Sequence, residues 1–136
     1  MYEHITQERV RYGFTDQMGY LYYGHYPLFY EIGRTEAMRD IGLSYSELES
    51  KHEIYMPVVS MEVKYLRPAF YDDLLTIKTQ VRKLPDKFIT FYTELFNPAG
   101  ELINVGKVKL CFYDPKMKSV VMVPDYFIQE FRKYFE

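Results

Sequence analysis

The stretch SMEVKYLRPAFYDDLLTIKTQVRKLPDKFITFYTELFNPAGELINVGKVKLCF, residues 60–112, decides the fold, because its apolar residues recur at every second position. Met61, Val63 and Tyr65 fall on one side and Ser60, Glu62 and Lys64 on the other. Leu75, Ile77, Thr79 and Val81 oppose Thr76, Lys78, Gln80 and Arg82, and Ile89, Phe91, Thr93 and Leu95 oppose Thr90, Tyr92 and Glu94. Val108, Leu110 and Phe112 oppose Lys107, Lys109 and Cys111. A period of two is the signature of half-buried strands. The segments are separated by Arg67-Pro68-Ala69 through Asp73, Pro85-Asp86-Lys87 and Asn97-Pro98-Ala99-Gly100, and Asp114-Pro115-Lys116 follows the last. These residue types let a chain reverse, so the pattern predicts an antiparallel meander.

Outward from this block, Ser119 to Val123 reads as a short strand. Pro124 and Asp125 then open a terminal helix with Phe127, Ile128, Phe131 and Phe135 on its apolar side. Toward the N-terminus, His4 to Tyr12 alternates weakly as a first strand, and Gly13 to Gly24 is a Gly- and Tyr-rich loop. A long helix is expected from about Gly24 to Ile41, with Pro27 in its first turn and Gly42 as its C-terminal stop. Gly33 and Ala37, four apart, permit a close backbone approach. Leu43 to Ile54 has room for one short helix, with Ser44 and Ser46 as caps. The order is strand, long helix, a meander of about five strands, short helix. That is an α+β fold in which an antiparallel sheet must cover one long helix.

The chain has 136 residues, 48% of them apolar, which suits one domain over residues 1–136 with a packed core. Seventeen basic and nineteen acidic residues give a net charge of −2 with no basic block, so no nucleic-acid partner is expected. A single cysteine, Cys111, excludes an internal disulfide framework and fits a reducing cytoplasm. The first residues, MYEHITQERVRYGFTD, hold no apolar core of signal-peptide length, and no run approaches a transmembrane span. Fifteen tyrosines and ten phenylalanines, with no tryptophan, suit aromatic strand faces, and some tyrosines are candidates for lining a pocket or an interface.

Two segments carry a family resemblance. RVRYGFTDQMGYLYYGHYPLFYEIGRTEAMRDIGLSYSEL contains Asp16-Gln17-Met18-Gly19 after a first strand and before a Tyr-rich loop and a long helix. VKYLRPAFYDDLLTIKTQV adds a strand, Arg-Pro, a turn and a second strand. The chain resembles hotdog-fold acyl-CoA thioesterases over about Glu8 to Phe112, including the 4-hydroxybenzoyl-CoA thioesterase type and the YbgC-like enzymes. The resemblance implies a hotdog fold, with a sheet of five to six strands wrapped around one central helix. It also implies a homodimer or a homotetramer (a dimer of dimers), with active sites at the subunit interface. Coenzyme A would arrive as part of the acyl-CoA substrate, and no cofactor is implied.

Thioester hydrolysis needs a carboxylate that attacks the carbonyl or activates water, a stabiliser for the developing oxyanion, and a groove for the acyl-pantetheine arm. By resemblance Asp16 is the carboxylate, although in isolation it reads as a turn residue. Backbone N–H groups at the helix start, near Tyr23 and Gly24, are the oxyanion donors. Many YbgC-like enzymes carry a catalytic His where this chain has Tyr23. The 4-hydroxybenzoyl-CoA type, with an aromatic residue there, is closer. Tyr12 is a candidate for orienting the carboxylate or packing in the strand, and His25 is a secondary catalytic candidate. Val59, Arg67, Lys83 and Lys87 are the candidate substrate-binding residues, the basic three placed at turns to meet coenzyme A phosphates. Glu31 is a reserve helix carboxylate. One cysteine and three scattered histidines give no support for a metal site. Gly106, within a strand, predicts a bulge or a close approach. Cys111 is read as a packing residue.

Two other functions remain open. Gly24-His25-Tyr26-Pro27 before a helix containing Glu36 faintly resembles the His and Glu pair of hotdog dehydratases that act on acyl carrier protein substrates. A non-catalytic acyl-CoA-binding hotdog protein is the third possibility.

Overall fold

A computed structural model describes all residues from Met1 to Glu136. Six strands run Tyr2–Arg9 (β1), Val58–Tyr65 (β2), Leu74–Val81 (β3), Phe88–Phe96 (β4), Leu102–Asp114 (β5) and Ser119–Val121 (β6). Three α-helices span Tyr26–Asp40 (α1), Tyr45–Lys51 (α2) and Asp125–Arg132 (α3). The sheet is antiparallel throughout, in the order β1-β3-β4-β5-β2, with β6 paired to β5. It wraps α1, which packs against β1, β3, β4 and β5. This is the hotdog arrangement expected from the sequence.

The alternation decides which side chains go inside. Leu75, Ile77, Ile89, Phe91, Leu95 and Val108 are fully buried toward α1, while Thr76, Lys78, Thr90 and Tyr92 alternate with them on the more exposed face. From the helix, Phe29, Tyr30, Ala37 and Met38 complete the core. Each large apolar side chain buried here contributes about 1.5–3 kcal/mol. Gly33 meets the sheet where a Cβ would lie 2.6 Å from Ile77 Cγ2, so only glycine lets helix and sheet come this close. The helix stops as expected. Gly42 has φ +84° and donates to Arg39 C=O at 3.0 Å, while Leu43 donates to Met38 C=O at 2.7 Å. This is the Schellman closure that glycine favours. Ser44 stands at the N-cap of α2 but makes no capping bond; its Oγ is paired with Ser46 Oγ instead.

Three expectations need correction. The first strand ends at Arg9, and Tyr12 lies in a 3₁₀ turn, Tyr12–Phe14. Val10 turns away there to donate to Asp73 C=O at 2.8 Å. The strand expected at Lys107–Phe112 begins earlier, at Leu102, because Gly106 does not interrupt it. Gly106 pairs in register with both Val63 and Thr93, and the space above it holds the Tyr30 ring, only 2.3 Å from where a Cβ would stand. The third concerns order. β2 does not form a hairpin with β3; it pairs with β5 at the far edge. Residues 66–73 instead cross the end of the wrapped sheet. Leu66 and Arg67 both donate to Ile103 C=O, Leu21 donates to Ala69 C=O, and Tyr71 donates to Gly19 C=O. A period of two identifies strands but carries no information on which neighbours they choose. This crossing segment roofs the N-terminal end of α1 and makes the site.

Candidate active site

Asp16 begins a tight turn. Its backbone N–H donates to Tyr20 C=O at 2.9 Å, and Gly19 N–H donates back to Asp16 C=O at 3.0 Å. Gly19 sits at φ +78°, a conformation that a side chain makes costly. Within this turn Asp16 Oδ1 accepts from Met18 N–H at 2.9 Å and Tyr20 N–H at 3.2 Å. One carboxylate oxygen is thereby fixed, and Oδ2 has no partner in the chain.

A cleft of about 350 Å³ opens beside the turn, with Asp16, Tyr23, Tyr26, Tyr65, Leu66 and Arg67 among its lining residues. Most of that lining is apolar, the usual character of a small-molecule pocket. The helix start supplies donors. The N–H groups of Tyr23 and Gly24, in the 3₁₀ turn that leads into α1, donate to no carbonyl of the surrounding turns and to no side chain. The fifteen-residue α1 adds the positive end of its dipole. A Cβ at Gly24 would lie 2.7 Å from the exposed Tyr22 ring, which would have to swing aside.

Three tyrosines of this cleft, Tyr20, Tyr26 and Tyr65, escaped the sequence analysis. Tyr26, only 3% exposed, lines the cleft, with its hydroxyl against the Ala69 backbone. Burial pushes that hydroxyl up from its ordinary pKa; the backbone of Ala69 acts against this, and Tyr65 and the Asp16 charge add to it. Tyr26 therefore stays a neutral O–H beside a carboxylate. Tyr65 stands at the end of β2, edge-on to Tyr26 with ring centroids 5.1 Å apart, and its hydroxyl donates to Tyr23 C=O at 2.9 Å. Tyr65 was visible only as one member of an alternating strand. Its place in the site follows from β2 lying at the sheet edge, which no local pattern encodes.

The other candidates are distributed as follows. Arg67 lines the cleft and reaches Glu101 at 3.6 Å. Tyr12 lies behind the Asp16 turn, 79% exposed and edge-on to Tyr71, on a second concavity shared with Asp16. His25 is half-buried between the rings of Phe14 and Tyr22 and does not line the cleft. Val59 is a bulged residue of β2, skipped in the pairing between Val58 and Ser60. Lys83 and Lys87 lie beyond the far end of β3, so the eight residues of that strand, roughly 3.3 Å each, separate them from the Asp16 end. In a single chain they do not join the cleft. Glu31 is exposed, Glu36 is ion-paired with Arg39, and Cys111 is buried.

Comparison with known proteins agrees with this geometry. The sequence matches the thioesterase-like superfamily over residues 10–131. The chain belongs to that family. It is 30% identical over 125 residues to the acyl-CoA thioester hydrolase YbgC of Escherichia coli, covering 92% of each chain. Among solved structures, the DHNA-CoA thioesterase of Staphylococcus aureus superposes with a TM-score of 0.85 at 29% identity, covering 99% of this chain and 89% of the other. Slr0204 of Synechocystis, a 1,4-dihydroxy-2-naphthoyl-CoA thioesterase, shares the fold at a TM-score of 0.90 and 12% identity, covering 99% of each chain. In this thioesterase-like chain Asp16, Tyr23 at the start of the 3₁₀ turn, and Leu66, Arg67 and Pro68 of the crossing segment line one cleft.

Proposed function

We propose that this protein hydrolyses the thioester of an acyl-CoA to a free acid and coenzyme A, as its relatives are named for doing. The observation that carries this reading is the convergence in one cleft of a carboxylate with a free oxygen and a helix start with free N–H donors. Oδ2 of Asp16 either takes the proton from a water that attacks the carbonyl carbon, or attacks that carbon itself to give an acyl-aspartyl anhydride that water then cleaves; on either route the C–S bond breaks and coenzyme A leaves as the thiol. The N–H groups of Tyr23 and Gly24 meet the carbonyl oxygen as negative charge develops on it. The apolar walls hold the pantetheine arm, and Arg67 at the rim meets a phosphate. The chemistry needs no cofactor or metal.

The dehydratase alternative finds less support. His25 and Glu36 are eleven residues apart, about 16 Å along a helix at 1.5 Å per residue, and Glu36 is engaged by Arg39. Neither lines the Asp16 cleft.

The working form is proposed to be a homodimer built on β2, or a pair of such dimers. β2 is an unpaired sheet edge, and Val58, Val59, Met61, Tyr65 and Leu66 are all exposed along it. An open apolar edge invites another strand, and two-fold pairing of β2 with itself would be self-complementary. Antiparallel pairing would place the Val59 end of one copy beside the Tyr65 end of the other. Lys83, Lys87 and Val59 would then serve the substrate across the interface. No helix is long and apolar enough to cross a membrane; a cytoplasmic location, one domain over residues 1–136, and the absence of a nucleic-acid partner complete the proposal.

The test is thiol release from a panel of short, long and aromatic acyl-CoAs, run beside the same acyl groups on acyl carrier protein and beside a 3-hydroxyacyl dehydration assay. Thiol release from at least one acyl-CoA is expected. Dehydration without thiol release would overturn the reading.

A further inference from the structure

The hydroxyl of Tyr65 meets a backbone carbonyl in the turn that leads into α1. Tyr23 lies in the 3₁₀ turn Tyr23–His25, ahead of the first residue of α1. Pro27, four residues on and in the first turn of α1, has no N–H to offer the Tyr23 carbonyl. The Tyr23 carbonyl is instead met by Tyr65 O–H at 2.9 Å, from a strand at the sheet edge. This carbonyl belongs to the same peptide unit as the Gly24 N–H. The peptide is trans, so its C=O and N–H point in opposite directions. Holding one end therefore fixes the direction of the other.

We infer that Tyr65 is a positioning residue for the thioesterase reaction: by gripping the Tyr23 carbonyl it aims the Gly24 N–H at the developing oxyanion. The assignment rests on the acyl-CoA hydrolase reading. Its surroundings are suited to the task. Gly24 has no side chain of its own to hold the peptide in place, and Tyr22 covers it on one side. Tyr65 is braced in turn by its edge-on contact with Tyr26. Because Tyr65 ends the exposed edge strand β2, the aim of the donor is also tied to whatever pairs along that edge.

The experiment is a double-mutant cycle on acyl-CoA hydrolysis. Tyr65→Phe keeps the ring against Tyr26 and removes only the donor. It should lower kcat by about tenfold to a hundredfold, the scale of a weakened oxyanion donor, with KM changed less than about twofold. Pro27→Ala supplies an N–H four residues after Tyr23, which meets its carbonyl once the 3₁₀ turn winds into α1. Added to Tyr65→Phe, it should recover most of the lost kcat. Loss of a packing contact would not be repaired by a backbone N–H at the second residue of α1. Wild-type kcat in Tyr65→Phe, or no recovery in the double variant, overturns the inference. A second reading does not depend on turnover. The amide resonance of Gly24 in the ¹⁵N-labelled protein should move in Tyr65→Phe and return toward its original position in the double variant. If no acyl-CoA is hydrolysed by the wild type, the proposed activity fails. The amide resonance still decides whether Tyr65 holds the peptide, and an unmoved Gly24 signal would contradict that.

Discussion

Asp16 and Gly19 close one turn from opposite ends: Gly19 donates its N–H to the Asp16 carbonyl at 3.0 Å, and only the φ of +78° at Gly19 lets the chain return in time. The same return brings the Met18 and Tyr20 N–H groups onto Asp16 Oδ1. The two named residues of the Asp-x-x-Gly motif thus have different tasks. The aspartate supplies the charge, and the glycine supplies the backbone geometry that points it. Gly19→Ala should cost roughly 1–2 kcal/mol from the left-handed backbone alone and should also misdirect the carboxylate. The expected outcome is a lowered urea midpoint together with a fall in kcat larger than the stability loss explains. Wild-type kinetics in a destabilised Gly19→Ala would separate the turn from the chemistry.

A second pair tests the core beneath the site. Tyr30 O–H donates to Asn104 Oδ1, and Asn104 is fully buried with its Nδ2 already unpartnered. Tyr30→Phe leaves a further buried polar atom without a partner, a loss of about 1–3 kcal/mol. Gly106→Ala drives a methyl into the Tyr30 ring and should destabilise more than Tyr30→Phe does. Chemical denaturation ranks the two. The opposite order would mean that the ring is free to move off Gly106.

Alkaline pH provides a third test. Burial raises the phenols of Tyr2, Tyr26 and Tyr30 above their ordinary value near 10. The unfolded chain therefore loses these protons first as pH rises. Their contribution to stability is whole below about pH 10 and is lost progressively above it. The denaturation midpoint should hold from about pH 7 to 9 and fall beyond about pH 10. A midpoint that stays level through about pH 11 would show that these hydroxyls titrate alike in both states.

The oligomer prediction concerns the exposed edge. Met61→Lys places a charge on the apolar stripe of β2 without touching the cleft lining. Sedimentation should show a shift toward monomer, and activity should fall with it if Lys83, Lys87 and Val59 act across the interface. A monomeric wild type with full activity would confine the site to one chain.

Much of this was legible in the sequence because it is written locally. Alternation located the strands to within a few residues, Pro27 and Gly42 bracketed α1, and the Asp-x-x-Gly motif named the turn. What escaped depends on non-local pairing. Nothing near Tyr65 reveals that β2 runs beside β5, so nothing near it reveals that its hydroxyl reaches Tyr23. The segment 66–73 carries ordinary turn residues yet spans the end of the sheet, because its hydrogen-bond partners are Ile103, Leu21 and Gly19. Lys83 and Lys87 carry charge at a turn, and charge does not say which end of the sheet a turn occupies.

The most direct measurement is the turnover of purified Asp16→Asn beside the wild type, on the acyl-CoA the wild type hydrolyses best, with circular dichroism and oligomeric state recorded for both. The substitution keeps the size of the side chain and an oxygen for the turn's N–H groups, and removes the charge. The account predicts a fall in kcat of at least about a hundredfold with fold and assembly unchanged. Equal kcat in the two proteins would contradict it and remove Asp16 from the chemistry.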